Sequence, residues 1–298
     1  MRPFLKWAGG KTKLLPELVS RLPREMRTYA EPFCGGGALF FALAEERKNH
    51  RRTFERAILA DRNEELVVSY NAIKTDVGGV IEALGPYVYD RDLFYATRKK
   101  DPKTLSSAER AARLIFLNRT CFNGLWRVNS KGEFNVPFGR YKNPTICDER
   151  TLRAASEALQ DATILHADFA EVTRELGGGA KIDFVYFDPP YAPVSETADF
   201  TAYAAGGFGF ADQERLAREL AALRDRGAMG MLSNADTPNM RVLYKEFGVH
   251  VVAAPRAINS DPTKRGVAAE LVVTTWDEPG QIEEARRPAA ASAVQDGA

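Results

Sequence analysis

The sequence predicts an α/β protein built on a mostly parallel sheet. Two observations carry this prediction: short apolar runs alternate with amphipathic segments, and glycine or acidic residues follow several of the apolar runs. Short apolar runs are typical of buried strands, and apolar residues at helical spacing are typical of helices that cover a sheet.

The predicted elements follow one another in a regular order. Residues 29–33 and 57–60 are predicted strands, and each precedes a predicted helix, at 38–47 and 63–74. The alternation resumes with strands at 162–166, 182–187 and 228–232, and with a helix at 212–226 that Asp212 caps and Gly227 ends. Residues 249–254 and 270–276 are expected to close the sheet as an antiparallel pair.

Residues 75–150 interrupt this alternation, and we interpret them as a second domain inserted into a first domain formed by residues 1–74 and 151–276. Within the insert, residues 126–136 have the pattern of a β-hairpin with Lys131 and Gly132 in its turn. Residues 91–150 hold 13 Lys and Arg but 6 Asp and Glu, whereas the whole chain has a net charge of +1. This basic stretch is either a surface for a polyanion or a solvated charged face.

Composition excludes several classes of protein. The chain has 298 residues, 45% of them hydrophobic, which is enough for a large core. Its three cysteines and three histidines are widely spaced, which argues against a disulfide framework or a zinc site and favours a reducing cytoplasm. Apolar runs are too short for a membrane span, and the first residues lack the apolar stretch of a signal peptide. Residues 277–298 have no periodicity and are predicted to be a disordered tail.

The most informative segment is Asp188-Pro189-Pro190-Tyr191, which follows the predicted strand 182–187. An amine on a flat heterocycle is a poor nucleophile, and acceptors aimed at its N–H groups stabilise the positive charge that grows during methylation. Asp188 and the Pro189 carbonyl are two such acceptors on a stiff turn, and Tyr191 offers a ring on which a flipped base can stack. The alternative is an ordinary turn, in which aspartate and proline are also common.

A second segment predicts a pocket for a nucleoside. Gly35, Gly36 and Gly37 end the first strand and open a helix, which lets a ligand approach the backbone closely. Asp61 follows the second strand, where a carboxylate can bind ribose hydroxyls, and Asp168 follows the third, where it can accept from an adenine amine. Three glycines alone are equally compatible with a tight turn.

Taken together, these segments resemble the Dam-type DNA adenine-N6 methyltransferases, the alpha-ordered D12 family. The resemblance covers about residues 4–276 and is carried by the segments 4–11, 31–37, 118–119, 122–127, 132–141, 188–191, 200–203 and 233–237. It implies a Rossmann-like sheet that binds S-adenosylmethionine, with an inserted, mainly helical DNA-recognition domain that carries the hairpin.

The resemblance also implies the roles of individual residues. The methyl group would move in line from the sulfonium to adenine N6 without a covalent enzyme intermediate, and no metal would be needed. The catalytic motif would be Asp188, Pro189, Pro190 and Tyr191. The residues that would contact or shape the cofactor site are Trp7, Lys11, Phe33, Gly35, Gly37, Asp61, Asp168, Phe169 and Asp188.

The implied DNA-binding residues divide into base contacts and phosphate contacts. Arg127 would read a guanine edge, the commonest specific contact in the major groove. Phe122 would wedge into the base stack, or else belong to the hairpin core. Arg119 would bind a phosphate or hold an internal carboxylate. The full set is Arg98, Arg119, Phe122, Asn123, Leu125, Arg127, Pro137 and Arg140.

These expectations define a substrate and two alternatives. The expected substrate is double-stranded DNA methylated at 5′-GATC-3′ or a related GAT-containing site, and the protein is expected to be a cytoplasmic monomer that contacts no membrane. One alternative is a cytosine-N4 methyltransferase, although serine usually stands in such enzymes where this chain has Asp188. The other alternative is a non-catalytic DNA-binding protein with the same fold.

Overall fold

A computed structural model describes residues 1–7, 9–51, 53–175, 183–191, 208–255, 267–277 and 282–283. The helices and strands named below are those within these ranges. The strands are β1 (Glu25–Glu31), β2 (Thr53–Asp61), β3 (Ala162–His166), β4 (Phe184–Phe187), β5 (Met229–Ala235), β6 (Gly248–Pro255), β7 (Val267–Thr274) and the two-residue β8 (Ile282–Glu283).

These strands form one sheet in the order β3-β2-β1-β4-β5-β7-β6-β8. β3, β2, β1, β4 and β5 run parallel, whereas β7 is antiparallel to both β5 and β6. The prediction of a mostly parallel sheet closed by an antiparallel pair is therefore confirmed. The strand predicted at 182–187 begins at Phe184 in the described chain, and Ile182 lies outside the described residues.

Ten α-helices are described alongside the sheet. They are α1 (Leu15–Arg21), α2 (Ala38–Lys48), α3 (Glu64–Thr75), α4 (Val77–Leu84), α5 (Arg91–Lys99), α6 (Ser107–Thr120), α7 (Glu149–Leu159), α8 (Phe169–Glu175), α9 (Phe210–Asp225) and α10 (Pro238–Leu243). Short 3-10 turns lie at Pro102–Thr104 and Phe122–Gly124. Each of these helices falls short of the length and apolar character needed to cross a bilayer.

The starts and ends of the helices follow from local hydrogen bonds. Asn63 caps α3 by accepting from the Glu65 amide at 3.1 Å. The prediction that Asp212 caps α9 is wrong, because α9 begins two residues earlier and the Asp212 carboxylate accepts from the Gly209 amide at 3.0 Å from within the first turn. Gly227 ends α9 as predicted, with a φ of +73° that a side chain would disfavour.

The core lies on both faces of the sheet. Successive residues of β4 point to opposite sides: Phe184 and Tyr186 belong to one apolar cluster, and Val185 and Phe187 to the other. Burial of every residue in β4 on both faces is the usual state of a parallel strand covered by helices. The residues after β4 are therefore held at a fixed position at the sheet edge.

The segment predicted as an insert packs on the sheet region through α6. Helix α6 contacts α3 and α4, and its Leu114 and Ile115 share the core cluster of β1 and α2. On its other side, Phe116 and Leu117 form a smaller cluster with Phe134. Strand-like pairing joins Val128 to Phe134 across a turn that contains Gly132, so the hairpin predicted at 126–136 is a short one.

Candidate active site

The sheet order determines where a ligand can bind. β1 and β4 are neighbours at the point where the strand order reverses, and ligands of open α/β sheets bind in the crevice outside the carboxyl ends of the strands at such a point. The glycine turn follows β1, and Asp188 follows β4. The two segments that the sequence singled out therefore flank one crevice.

Lys11 and Asp188 form a partly enclosed ion pair in this crevice. Lys11 is 5% exposed, and its Nζ lies 2.8 Å from Asp188 Oδ1 while donating to the Gly9 carbonyl at 2.7 Å. Burial raises the pKa of Asp188, and the Lys11 ammonium opposes this shift. Lys11 thus holds the carboxylate in place and favours its charged form.

Tyr191 completes the group. Its ring carries the Lys11 ammonium, with Nζ 4.5 Å from the ring centroid, which is a cation–π contact. Its hydroxyl donates a hydrogen bond to Glu270 Oε2. Burial and the nearby charges of Asp188 and Glu270 raise the pKa of the Tyr191 hydroxyl, so the phenol stays protonated.

A buried amide supports the backbone of the motif. The Gln213 side chain on α9 is 1% exposed and donates through Nε2 to the Pro190 carbonyl at 3.1 Å. Its Oε1 accepts from Asn234 Nδ2 at 2.9 Å, at the carboxyl end of β5. Pro189 is buried and Pro190 is exposed. The turn is therefore held both by its prolines and by α9.

The glycine turn is shaped by close neighbours. Gly35 and Gly37 have φ values of +49° and +64°, which side chains rarely adopt. A Cβ on Gly35 would lie 2.8 Å from Trp7 Cδ1, and one on Gly37 would lie 2.7 Å from Tyr70 Oη. Glycine is needed at both positions for conformation and for space.

Asp61 lies under this turn rather than free in the crevice. Its Oδ2 accepts from the Gly35 amide at 2.9 Å, and its Oδ1 accepts from the Asn63 amide at 2.8 Å. Burial raises the pKa of Asp61, and these backbone donors oppose the shift. Each carboxylate oxygen keeps a second lone pair, so Asp61 can still accept from a ligand.

A second acid, Glu31, ends β1 beside the motif and was not singled out from the sequence. It is 3% exposed and accepts a hydrogen bond from the Tyr29 hydroxyl. Burial raises the pKa of Glu31 to about 8, and the charge of Asp188 adds to this rise. Burial therefore favours the neutral form of Glu31, in contrast to a surface glutamate.

Asp168 lies beside an aromatic cluster after β3. Its two oxygens lie 3.0 and 2.9 Å from the guanidinium nitrogens of Arg215 on α9. The Arg215 guanidinium also covers the Phe169 ring at 4.2 Å, and Phe33 stacks on Phe169 with centroids 5.3 Å apart. Phe208 contacts both rings. Arg215 is a site residue that the sequence reading missed, because only the docking of α9 brings it here.

The residues at this edge fit the S-adenosylmethionine that the resemblance implies. The fit rests on the chemistry of the donor set: an aromatic cluster for an adenine ring, the partly accessible acids Asp61 and Asp168 for hydroxyl and amine donors, and a glycine turn that admits no Cβ. Asp188 adds a carboxylate to this edge, which suits a ligand that carries a positive charge. Across the described ranges, no cluster of histidine, cysteine and acidic residues could hold a metal ion.

Six of the eight candidate DNA-binding residues lie on the segment that follows α6, whereas Arg98 lies on α5 and Arg119 on α6. Arg127 is exposed and donates through Nε to Asn135 Oδ1 at 2.7 Å. Phe122 is 50% exposed, which favours a wedge over a core residue. Asn123, with a φ of +55°, follows it at the tip of the turn. Those with exposed side chains are Phe122, Asn123, Arg127, Pro137 and Arg140, whereas Arg98 and Leu125 are half-buried.

Arg98 and Arg119 have internal partners. Arg119 donates to the Phe4 carbonyl at 2.7 Å, and burial lowers the pKa of its guanidinium. Arg98 donates to the Val136 carbonyl at 3.2 Å and lies over the Tyr95 ring. The preceding residue of α6, Asn118, is fully buried and binds both Lys6 and Gly124. Arg119 therefore ties the N-terminal segment to α6 through a backbone carbonyl and not through the internal carboxylate that the sequence suggested as its alternative partner.

A family model and several relatives match most of this chain. A family model described as D12 class N6 adenine-specific DNA methyltransferase matches residues 7–258. The type II methyltransferase M1.LlaDCHI of Lactococcus lactis subsp. cremoris is 40% identical over 284 residues, covering 93% of this chain and 96% of that protein. The DNA adenine methylase of Escherichia coli strain K12 is 36% identical over 290 residues, covering 96% and 99%.

Among solved structures, a putative class I S-adenosylmethionine-dependent methyltransferase from Listeria monocytogenes aligns with 93% of this chain and 63% of its own, at 13% identity and a TM-score of 0.38. The family match rests on sequence and covers most of the chain. On that ground the chain belongs to the D12 class of N6 adenine-specific DNA methyltransferases.

Proposed function

We propose that this enzyme methylates N6 of an adenine that it flips out of double-stranded DNA, within the sequence 5′-GATC-3′. Family membership gives the coarser statement: methyl transfer from S-adenosylmethionine to adenine N6 in DNA. The observation that carries the proposed mechanism is the group Lys11, Asp188 and Tyr191 at the carboxyl end of β4.

The proposed roles of the chain's own residues follow from this geometry. S-adenosylmethionine supplies an electrophilic methyl group when bound. The Asp188 carboxylate, held by Lys11 at one oxygen, retains acceptor capacity for an N–H of the target amine, and the Pro189 carbonyl accepts from the other N–H. These acceptors stabilise the positive charge that grows on the nitrogen. Asp188 does not need to be a strong base, because the product ammonium is acidic.

Base flipping is part of the proposal because the reacting group lies in a crevice. An adenine stacked in a duplex cannot reach acceptors at a sheet edge, so it must leave the stack. The exposed Phe122 ring supports this step as a wedge, and the Tyr191 ring supports it as the surface that receives the base. Substitution of 2-aminopurine for the target adenine should give a fluorescence rise on binding, and Phe122→Ala should reduce that rise.

The proposed target rests on the exposed recognition residues and on the resemblance of their segment to the Dam-type family. Arg127 has the side chain for bidentate reading of a guanine, and Pro137 offers apolar surface to a thymine methyl. The name M1.LlaDCHI does not state a recognition sequence. The relatives therefore support adenine as the target base but do not support a particular recognition sequence. A related GAT-containing site is the second candidate.

The deciding experiment expresses the protein in a host without adenine methylation. Mass spectrometry of nucleosides should show N6-methyladenine, and single-molecule sequencing should place it in GATC. Methylated adenine in another sequence context would overturn the proposed recognition sequence. N4-methylcytosine would overturn the proposal that adenine is the methylated base. Tight duplex binding with no methyl transfer would favour the non-catalytic alternative, against which the intact Lys11–Asp188 pair speaks. Light scattering at the mass of one 33.0 kDa chain would support the proposed monomer.

A further inference from the structure

Glu270 lies at the reactive edge of the sheet, although it stands in the middle of β7. β7 runs antiparallel to β5, and the register places Glu270 opposite Ala235, the last residue of β5. An antiparallel strand thus brings a residue from its interior to the carboxyl ends of the parallel strands. The sequence alone gives no sign of this, because it depends on the register.

A continuous set of contacts joins Glu270 to the reactive carboxylate. Glu270 Oε2 accepts the hydrogen bond of the Tyr191 hydroxyl. The Tyr191 ring supports the Lys11 ammonium at 4.5 Å, and Lys11 Nζ lies 2.8 Å from Asp188 Oδ1. A change in the direction of the Tyr191 ring would therefore move the Lys11 ammonium and, with it, the carboxylate of Asp188.

We propose that Glu270 is a positioning residue for methyl transfer, which fixes the Tyr191 ring so that one face supports Lys11 and the other receives the target base. This inference rests on the proposed roles of Asp188 and Tyr191. Glu270 does not touch the reacting atoms in this proposal. It acts through the hydroxyl of Tyr191.

The physical reason is the rotational freedom of a tyrosine side chain. Its second side-chain torsion has a broad range, so packing alone leaves the ring direction loosely defined. A hydroxyl bonded to a carboxylate is a strong, directional link that narrows this range. Placement errors of about 1 Å in a reacting group can lower a rate about a hundredfold, so such an anchor has a measurable effect.

The test measures single-turnover methyl transfer to duplex DNA that carries the site methylated by the wild type. Glu270→Ala should slow transfer about 10- to 100-fold, the range for losing a hydrogen bond to a charged group. Glu270→Gln keeps an acceptor oxygen and should stay within about threefold of the wild type. Tyr191→Phe should slow transfer as much as Glu270→Ala does, and the double variant should be no slower than the slower single variant.

Asp277 offers a matched control near the opposite end of β7. Its carboxylate also accepts from a hydroxyl, that of Thr274 at 2.7 Å, and lies 2.9 Å from His250 Nε2. Asp277→Ala should lower thermal stability without slowing single-turnover transfer. A general loss of stability is thereby separated from a loss of positioning.

The outcomes distinguish this inference from the proposed function. Wild-type rates in Glu270→Ala, or losses in Glu270→Ala and Tyr191→Phe that multiply in the double variant, would overturn the positioning role. Equal losses of rate in Glu270→Gln and Glu270→Ala would also overturn the positioning role. The negative charge of Glu270, and not its hydrogen bond to Tyr191, would then be what affects transfer. Failure of the proposed function looks different: Asp188→Ala would transfer methyl at the wild-type rate.

Discussion

Trp7 and Trp126 stack on each other, with ring centroids 6.1 Å apart and ring planes inclined by 23°. Trp7 also packs against the glycine turn, where a Cβ on Gly35 would lie 2.8 Å from its Cδ1. Trp126 immediately precedes Arg127, the candidate guanine reader. One aromatic pair therefore joins the turn on the cofactor side to the segment on the DNA side.

Removing this stack by a substitution on the recognition segment should weaken binding of the cofactor. Trp126→Ala takes away the ring that supports Trp7, and an aromatic pair of this kind contributes about 0.5–1.5 kcal/mol beyond its buried area. We expect the affinity for S-adenosylhomocysteine to fall about 2- to 12-fold by calorimetry. Trp126→Phe keeps a ring and serves as the control. An unchanged affinity in Trp126→Ala would show that the two sites are independent.

Replacement of Asp188 should separate catalysis from DNA binding. Asp188→Ala removes the acceptor for the target amine, so transfer should fall at least about 100-fold, as when an oxyanion-hole donor is removed. Duplex affinity should change little, since the recognition residues are elsewhere. Asp188→Asn removes the negative charge but keeps the side-chain volume and an oxygen that can accept from Lys11. It therefore serves as the control for the cost of leaving the Lys11 ammonium without a partner in Asp188→Ala. Radiolabelled methyl transfer and a duplex binding titration measure the two effects.

The sheet was predictable because its strands are contiguous apolar runs. The strand at 162–166 was predicted to the residue, whereas β2 begins at Thr53 and not at 57 because its first residues include the polar Glu55 and Arg56. Those residues gain strand geometry from pairing with β1, which no local pattern encodes. Helix α1 was not predicted because it has only seven residues and buries only Leu18, so its sequence shows no clear helical periodicity.

The site was predictable where its residues are contiguous. Asp188 and the glycine turn carry their chemistry in short motifs, and sheet topology alone brings them together. Glu270, Gln213 and Arg215 reach the site through strand register or helix docking, so single positions gave no signal. The basic character of Arg119 suggested a phosphate, but charge does not tell which way a side chain points.

Arg127 should control discrimination at one guanine of the target. Loss of a bidentate base contact costs about 1–3 kcal/mol, so Arg127→Ala should lower the preference for that base about 5- to 150-fold. Asn135 accepts from Arg127 Nε, so Asn135→Ala should give a smaller loss at the same base. Methylation rates on duplexes with one substituted base pair measure both. A loss spread evenly over all sequences would instead mark Arg127 as a phosphate contact.

Arg119 and Arg140 should differ in their response to salt. Each phosphate contact that is lost should reduce the slope of log affinity against log salt by about one. Arg140 is exposed, so Arg140→Ala should show this reduction. Arg119 donates to the Phe4 carbonyl, so Arg119→Ala should leave the slope unchanged and lower the melting temperature. A reduced slope in Arg119→Ala would assign it to DNA after all.

Glu31 should make stability depend on pH. Burial raises the pKa of Glu31 from 4.5 to about 8, so the folded protein holds a proton that the unfolded chain releases between these values. The contribution of neutral Glu31 is therefore complete below about pH 4.5 and is lost as pH rises through about 8. Glu31→Gln is neutral at every pH and can still accept from the Tyr29 hydroxyl.

Urea unfolding of both proteins from pH 5 to 9 measures this effect, because the two proteins differ at Glu31 alone and the difference contains Glu31 together with its coupling to Asp188. The unfolding free energy of the wild type should fall relative to Glu31→Gln as pH rises, by up to about 5 kcal/mol over the whole interval. A parallel pair of curves would mean that Glu31 is charged in the folded protein. The second negative charge beside Asp188 would then take part in binding the cationic cofactor at neutral pH.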